Sequence, residues 1–144
     1  MSHWILVVDH QPRSRHLLRE ELERDFHVVA PESGRAARRL LEDMIFDLAI
    51  IDMRLPDVNV PEWLDDIGDH TAFFALADEG ELVSASHILL DALHYGAERV
   101  FEKNVPAHYI LDSVRAYFES DCFADRQACR KVPMRFVQKH AACV

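Results

Sequence analysis

The stretch Asp47 to Asp57, DLAIIDMRLPD, constrains the fold most. Leu48 to Ile51 is an unbroken apolar run that ends at an acid, Asp52, and Leu55-Pro56-Asp57 then turns the chain. Apolar residues without alternation suit a strand covered on both faces, as in a parallel sheet. A carboxylate just past such a strand lies at the carboxyl edge of the sheet. Open α/β sheets place their ligand sites at that edge. Asp is also a common turn residue, so Asp52 alone has two readings, turn former or site residue.

The other elements decide between them. Trp4–Val8 reads as a first strand that stops at Asp9-His10. Gln11-Pro12 opens a helix over residues 13–24, with Leu17, Leu18 and Leu22 as its apolar stripe. His27–Ala30 is a short second strand, and Ser33 is placed to cap a helix carrying Ala36, Ala37, Leu40, Leu41 and Met44 at helical spacing. After the central strand, Val60–Ile67 reads as a helix and Ala72–Ala77 as strand four. Glu81–Tyr95 reads as a helix with Leu82, Ala85, Leu89, Leu90 and Leu93 inward, ended by Gly96. Arg99–Phe101 is strand five, stopping at Glu102-Lys103, and Val105–Phe118 is a helix with Ile110, Leu111, Val114 and Phe118 inward. Trp63, Phe73 and Phe74 read as core.

Five β-α repeats with short connections imply right-handed crossovers and a doubly wound, five-stranded parallel sheet with helices on both faces. In the order 2-1-3-4-5 the carboxyl ends of strands one, three and five surround one crevice. Asp9, Asp52 and Lys103 stand at those ends. Their convergence favours the site reading of Asp52.

Charge and cysteines limit the partners. The chain of 144 residues carries a net −9, unevenly spread. Residues 1–119 hold 11 Lys and Arg against 23 Asp and Glu, a net −12; residues 120–144 hold 5 against 2, a net +3. An acidic body repels nucleic acid, whose phosphates need a basic face. The basic extension suits an acidic surface, its own or a partner's. No apolar run reaches the ~18 residues of a membrane helix, and the N-terminus lacks the pattern of a secretory signal. The three cysteines, Cys122, Cys129 and Cys143, are odd in number, which implies reduced thiols and a cytoplasmic setting. With His140 they form a metal quartet only in name, since the close cysteine pair of zinc modules is missing. The extension reads either as a short helix around Phe123–Lys131, packed back on the acidic body, or as a disordered tail.

At this point the sequence resembles the receiver domain of two-component response regulators, over residues 4 to about 119. VVDHQPRSRHLLREELE, DLAIIDMRLPD and DALHYGAERVFEK carry the resemblance, in this order and spacing. It implies a flavodoxin-like fold, no enzymatic activity of its own, and a stand-alone receiver-like domain at 1–119 with a short C-terminal extension, 120–144, and no output domain. It implies that Asp52 accepts a phosphoryl group from a sensor histidine kinase or phosphotransfer protein, that Lys103 contacts that group, and that Asp9, Asp52 and the main-chain carbonyl of Arg54 hold Mg²⁺. A downstream protein target and a possible homodimer complete the implied partners; nucleic acid and membrane are not among them.

The chain departs from the family pattern at several points. His10 stands where a second acid is usual, and imidazole is a poor Mg²⁺ ligand but a better one for softer dications. Weak Mg²⁺ binding and better support by Mn²⁺ follow, with His10 read as a filler rather than a ligand. Strand four ends in Ala75-Leu76-Ala77, without the usual hydroxyl; Asn104 replaces a proline, Val100 an aromatic residue and Val60 a glycine. A second reading is therefore a pseudo-receiver, an interaction or dimerisation module that works without phosphorylation. A flavin protein on the same architecture is a remote third, since Arg13-Ser14-Arg15 is no phosphate loop.

Overall fold

A computed structural model of the chain describes residues 2–68, 70–78 and 84–128. The strands are β1 (Trp4–Val8), β2 (His27–Val29), β3 (Leu48–Asp52), β4 (Phe73–Ala77) and β5 (Arg99–Glu102). The helices are α1 (Pro12–Leu22), α2 (Gly34–Asp43), α3 (Val60–Ile67), α4 (Ala85–His94), α5 (Ala107–Phe118) and α6 (Asp121–Ala128). All strand pairs are parallel, and the order is β2-β1-β3-β4-β5. This is the doubly wound architecture expected from the β-α alternation.

Side chains alternate across each strand, so one sheet builds two cores. Leu6, Val8, Ala49, Ile51, Phe73 and Ala75 face α2, α3 and α4. Ile5, Val7, Leu48, Ile50, Phe74 and Leu76 face α1, α5 and α6. The central strands β3 and β4 are buried throughout, which is why they read as continuous apolar runs. Trp63, Phe73 and Phe74 are all core.

Helix starts follow local chemistry. Ser33 caps α2 by accepting the Ala36 N–H, and Asn59 caps α3 by accepting the Glu62 N–H. The Asp57 carboxylate reaches back from the loop after β3 to accept the Arg35 and Gly34 N–H groups. Those backbone bonds, Arg35 first, hold its carboxyl below the usual carboxylate range. A Cβ at Gly34 would meet Val58 Cγ2 at 2.8 Å, so this junction needs glycine. Gly96 ends the α4 segment at a φ of 102°, where a side chain would be strained.

Three leucines expected inside are exposed. On α1, Leu18 and Leu22 are four residues apart and share the buried face; Leu17 is rotated about 100° from Leu18 and is exposed. On α4, Ala85, Leu89 and Ala92 form the inward stripe, which leaves Leu90 63% exposed and Leu93 also exposed. The helix begins at Ala85 behind a Ser84 cap, and Leu82 lies outside the described residues. On α5, Tyr117 takes the fully buried position and Phe118 is only partly buried. Pro106 precedes α5 as an extended residue, which delays its start from Val105 to Ala107.

The extension is bound to the body. Ser120 Oγ accepts the Phe123 N–H at the start of α6, and Phe123 is 9% exposed within the second core cluster. Its ring packs on Tyr117 and Phe118, and His3 stacks on Phe118. Arg126 donates to Glu98 at 3.2 Å and to the Gly68 carbonyl at 3.0 Å. A basic residue of the extension thus meets an acid of the body, as its charge suggested. The helix begins at Asp121 rather than Phe123 and is described to Ala128. Lys131, Cys129, His140 and Cys143 lie outside the described residues; Cys122 is exposed and has no disulfide partner among the described residues.

The Tyr117 ring is 1% exposed, and its hydroxyl has no hydrogen-bond partner among the described residues. Burial pushes its pKa up to about 12. An unsatisfied buried hydroxyl costs about 1–3 kcal/mol. Tyr117→Phe is therefore expected to stabilise the fold by about 1 kcal/mol in urea denaturation; an equal loss would mean the hydroxyl is bonded.

Candidate functional site

The site lies at the carboxyl edge of the sheet, where β1, β3 and β5 end. Each ending fixes one side chain by local hydrogen bonds. Asp9 follows β1, and its Oδ1 accepts the Gln11 N–H at 2.9 Å while its Oδ2 accepts the Ser14 hydroxyl at 2.5 Å. Arg15 donates to the Asp9 carbonyl at 3.0 Å. Asp52 ends β3, and its Oδ1 accepts the Arg54 N–H at 2.9 Å, an Asx turn, so Asp52 forms a turn as well as standing in the site. Lys103 follows β5 and is anchored by its own N–H, which donates to the Ala77 carbonyl at 3.0 Å.

From these anchors the side chains converge. Lys103 Nζ donates to Asp9 Oδ1 at 2.8 Å, to Gln11 Oε1 at 2.8 Å and to Asp52 Oδ2 at 3.2 Å. His10 Nδ1 lies 2.9 Å from the same Asp52 Oδ2. Asp9 and Asp52 are each 1% exposed, and the Lys103 side chain is 4% exposed. His10 reaches solvent, with 36% of its side chain exposed, and so does Gln11. Two carboxylates so far from water need opposite charge nearby. The ammonium supplies it to both at once.

Asp9, Asp52 and Lys103, picked from strand ends, are thus brought together, and His10, read as a filler, joins them. Arg54 is adjacent, with its main-chain N–H on Asp52. Gln11 and Ser14 were missed: Gln11 holds the lysine and Ser14 holds Asp9. The sequence did contain a pointer to them, since both sit where α1 begins and its first turn faces the edge where β1 ends. Leu76 pairs in register with Asp52 on β4, so the strand does end without a hydroxyl beside the acid.

A crevice of about 430 Å³ adjoins the cluster between the starts of α1 and α5. Leu17, Leu18, Leu76, Val105 and Ile110 give it apolar walls, and Gln11 and Lys103 are shared with the site. This explains the exposed Leu17: it lines a surface groove rather than the core.

The pattern of residues matches the response regulator receiver domain over residues 5–115. The chain belongs to that family. None of the curated proteins searched matches it. Among solved structures it is similar to a CheY-like receiver domain protein from Methanospirillum hungatei, with a TM-score of 0.71 and 18% identity over 89% of this chain and 98% of that one. It is similar to the receiver domain of a putative Luxo repressor protein from Vibrio parahaemolyticus, with a TM-score of 0.72 and 21% identity over 87% and 96%. It also resembles DrrB of Thermotoga maritima, an OmpR/PhoB homologue, with a TM-score of 0.70 and 23% identity over 83% of this chain and 54% of that one. At these identities the likeness is one of fold. This receiver is a divergent member of a family of signalling modules that are generally not enzymes. Among its described residues no helix is long and apolar enough to cross a membrane.

Ser14 offers a direct test of how the cluster is held. It donates to a buried carboxylate, and such bonds contribute about 1.5–3 kcal/mol. Ser14→Ala is expected to lower stability by about 2 kcal/mol at neutral pH in urea denaturation; Ser14→Thr, which keeps the hydroxyl, is expected to recover most of it.

Proposed function

We propose that this receiver accepts a phosphoryl group on Asp52 from the phosphohistidine of a sensor histidine kinase or phosphotransfer protein, and signals through protein–protein contacts. The observation that supports this reading most is the position of Lys103 Nζ, 3.2 Å from Asp52 Oδ2 and within a shell of fixed donors. In the transfer, a carboxylate oxygen of Asp52 attacks phosphorus and the bond from phosphorus to the imidazole nitrogen breaks. The leaving imidazole keeps the electron pair and takes a proton. Negative charge must be neutralised while the group passes. Lys103 brings one point charge, and Gln11 holds it on the site. Arg54 N–H fixes the orientation of the Asp52 carboxylate.

A divalent ion supplies further neutralisation and templates the geometry when bound. The residues fit Mg²⁺ only in part. Asp9 and Asp52 are oxygen donors held rigidly, and the Arg54 carbonyl would be a third. His10 occupies the position of a further carboxylate, and Lys103 already bridges the two acids. Mg²⁺ demands near-octahedral oxygen ligation, so it is expected to bind weakly and Mn²⁺ to support transfer better.

The crevice beside the site gives a phosphodonor an apolar surface from which to present its histidine, with Leu17 at the contact. Leu90 and Leu93 on α4 and Tyr109 on α5 are exposed near β5 and suit a downstream protein target or a second copy of the chain. An acidic body argues against nucleic acid as a partner. The setting is the cytoplasm, where such kinases present their phosphohistidines. The pseudo-receiver remains as a second reading. It is favoured by the two nitrogen groups that already cap Asp52 Oδ2 and by the missing hydroxyl at Leu76.

Incubation with acetyl phosphate or phosphoramidate and Mn²⁺ is expected to add one phosphoryl group, seen by intact mass, more slowly with Mg²⁺. Asp52→Asn is expected to abolish the addition while circular dichroism stays unchanged. Modification that persists in Asp52→Asn contradicts the assignment; none in the wild type with either donor or a purified kinase supports the pseudo-receiver.

A further inference from the structure

We infer that Asp9, His10 and Asp52 form a mixed nitrogen–oxygen metal site that takes a first-row transition dication of the Zn²⁺, Co²⁺ or Ni²⁺ class in preference to Mg²⁺. One donor atom from each of the three residues lies within 4.8 Å of the others. His10 is not turned away as a space-filler: its Nδ1 points at Asp52 Oδ2 from 2.9 Å. Three protein donors with an open fourth position match how such dications are held when a further group must enter. A phosphoryl oxygen is the natural entrant here, so the inference deepens the reading of Asp52 as acceptor. It does not depend on phosphorylation itself.

The supporting shell is built as metal sites require. Ligand carboxylates bind well when outer groups fix their orientation. Ser14 and the Gln11 N–H fix both oxygens of Asp9, and the Arg54 N–H fixes Oδ1 of Asp52. The exposed edge of His10 gives an entry path. Lys103 is the resident cation, and an incoming dication shares with it the neutralisation of the two acids, while Gln11 holds the ammonium on the site. Imidazole decides the selectivity. It binds Mg²⁺ poorly, whereas affinity for nitrogen donors rises from Mn²⁺ through Co²⁺ and Ni²⁺. Changing one oxygen donor to nitrogen, at the loss of one negative charge, moves the site from Mg²⁺ towards that series.

Co²⁺ titration of the full chain under reducing conditions tests this by absorbance. The visible ligand-field bands are expected to saturate at one Co²⁺ per chain, without the near-ultraviolet band of cobalt–thiolate bonds. Mg²⁺ in about hundredfold excess is expected to leave them unchanged. His10→Gln is expected to weaken Co²⁺ binding about tenfold or more, and His10→Asp to weaken it similarly while letting Mg²⁺ compete. Both variants are checked for unchanged circular dichroism. A thiolate band would show that the cysteines of the extension hold the ion. Co²⁺ binding equal in wild type and both variants, or displacement by Mg²⁺ at equal concentration, would also overturn the inference. Each such result leaves the Asp52 phosphorylation assay untouched, so the two failures are distinguishable.

Discussion

One ammonium between two buried carboxylates is the interaction on which the site depends. Asp9 and Asp52 stand on different strands and are almost wholly removed from water. Each would carry a desolvation cost of several kcal/mol if left alone. Lys103 reaches both, at 2.8 and 3.2 Å, from a third strand end. This works only because β1 and β3 are neighbours and β5 lies two strands beyond β3, close enough for a four-carbon stem to cross the end of β4. The topology and the charge cluster therefore require each other. Gln11 and Ser14 lock the arrangement, one on the lysine and one on Asp9.

The rest of the molecule serves to hold those strand ends in place. Alternation along β1, β3 and β4 builds a core on each face, and α2, α3 and α4, which cover one of them, begin at the side-chain caps Ser33, Asn59 and Ser84. The extension adds to one of these cores rather than hanging from it. Phe123 joins the cluster around Tyr117, and Arg126 pins α6 to Glu98 and to the end of α3. A boundary at residue 119 thus divides the chain by charge but not by packing.

Much of this was legible in the sequence, for identifiable reasons. Buried parallel strands are continuous apolar runs, so β3 and β4 stood out. A charged residue at the end of such a run is uncommon enough that Asp9, Asp52 and Lys103 could be picked by position, and the strand order then placed them together. Helix faces were harder. Leu17, Leu90 and Leu93 are apolar and fit a helical period loosely, yet the buried stripe went to Leu18, Leu22, Ala85, Leu89 and Ala92. Small alanines on α4 let the helix approach the sheet closely, which hydrophobicity alone does not reveal. Gln11 and Ser14 were pointed to only by their place at the start of α1, and a polar residue at a helix start has many ordinary roles. His10 was read as a filler, and only its ring orientation towards Asp52 shows it inside the cluster.

The most direct measurement of this account is a double-mutant cycle between Lys103→Met and the paired change Asp9→Asn with Asp52→Asn, by urea denaturation at neutral pH. If the ammonium neutralises both carboxylates, Lys103→Met destabilises the wild type far more than the doubly substituted background, with a coupling of about 2 kcal/mol or more. Effects that add to within about 0.5 kcal/mol would show that the lysine and the acids do not interact, and would contradict the account.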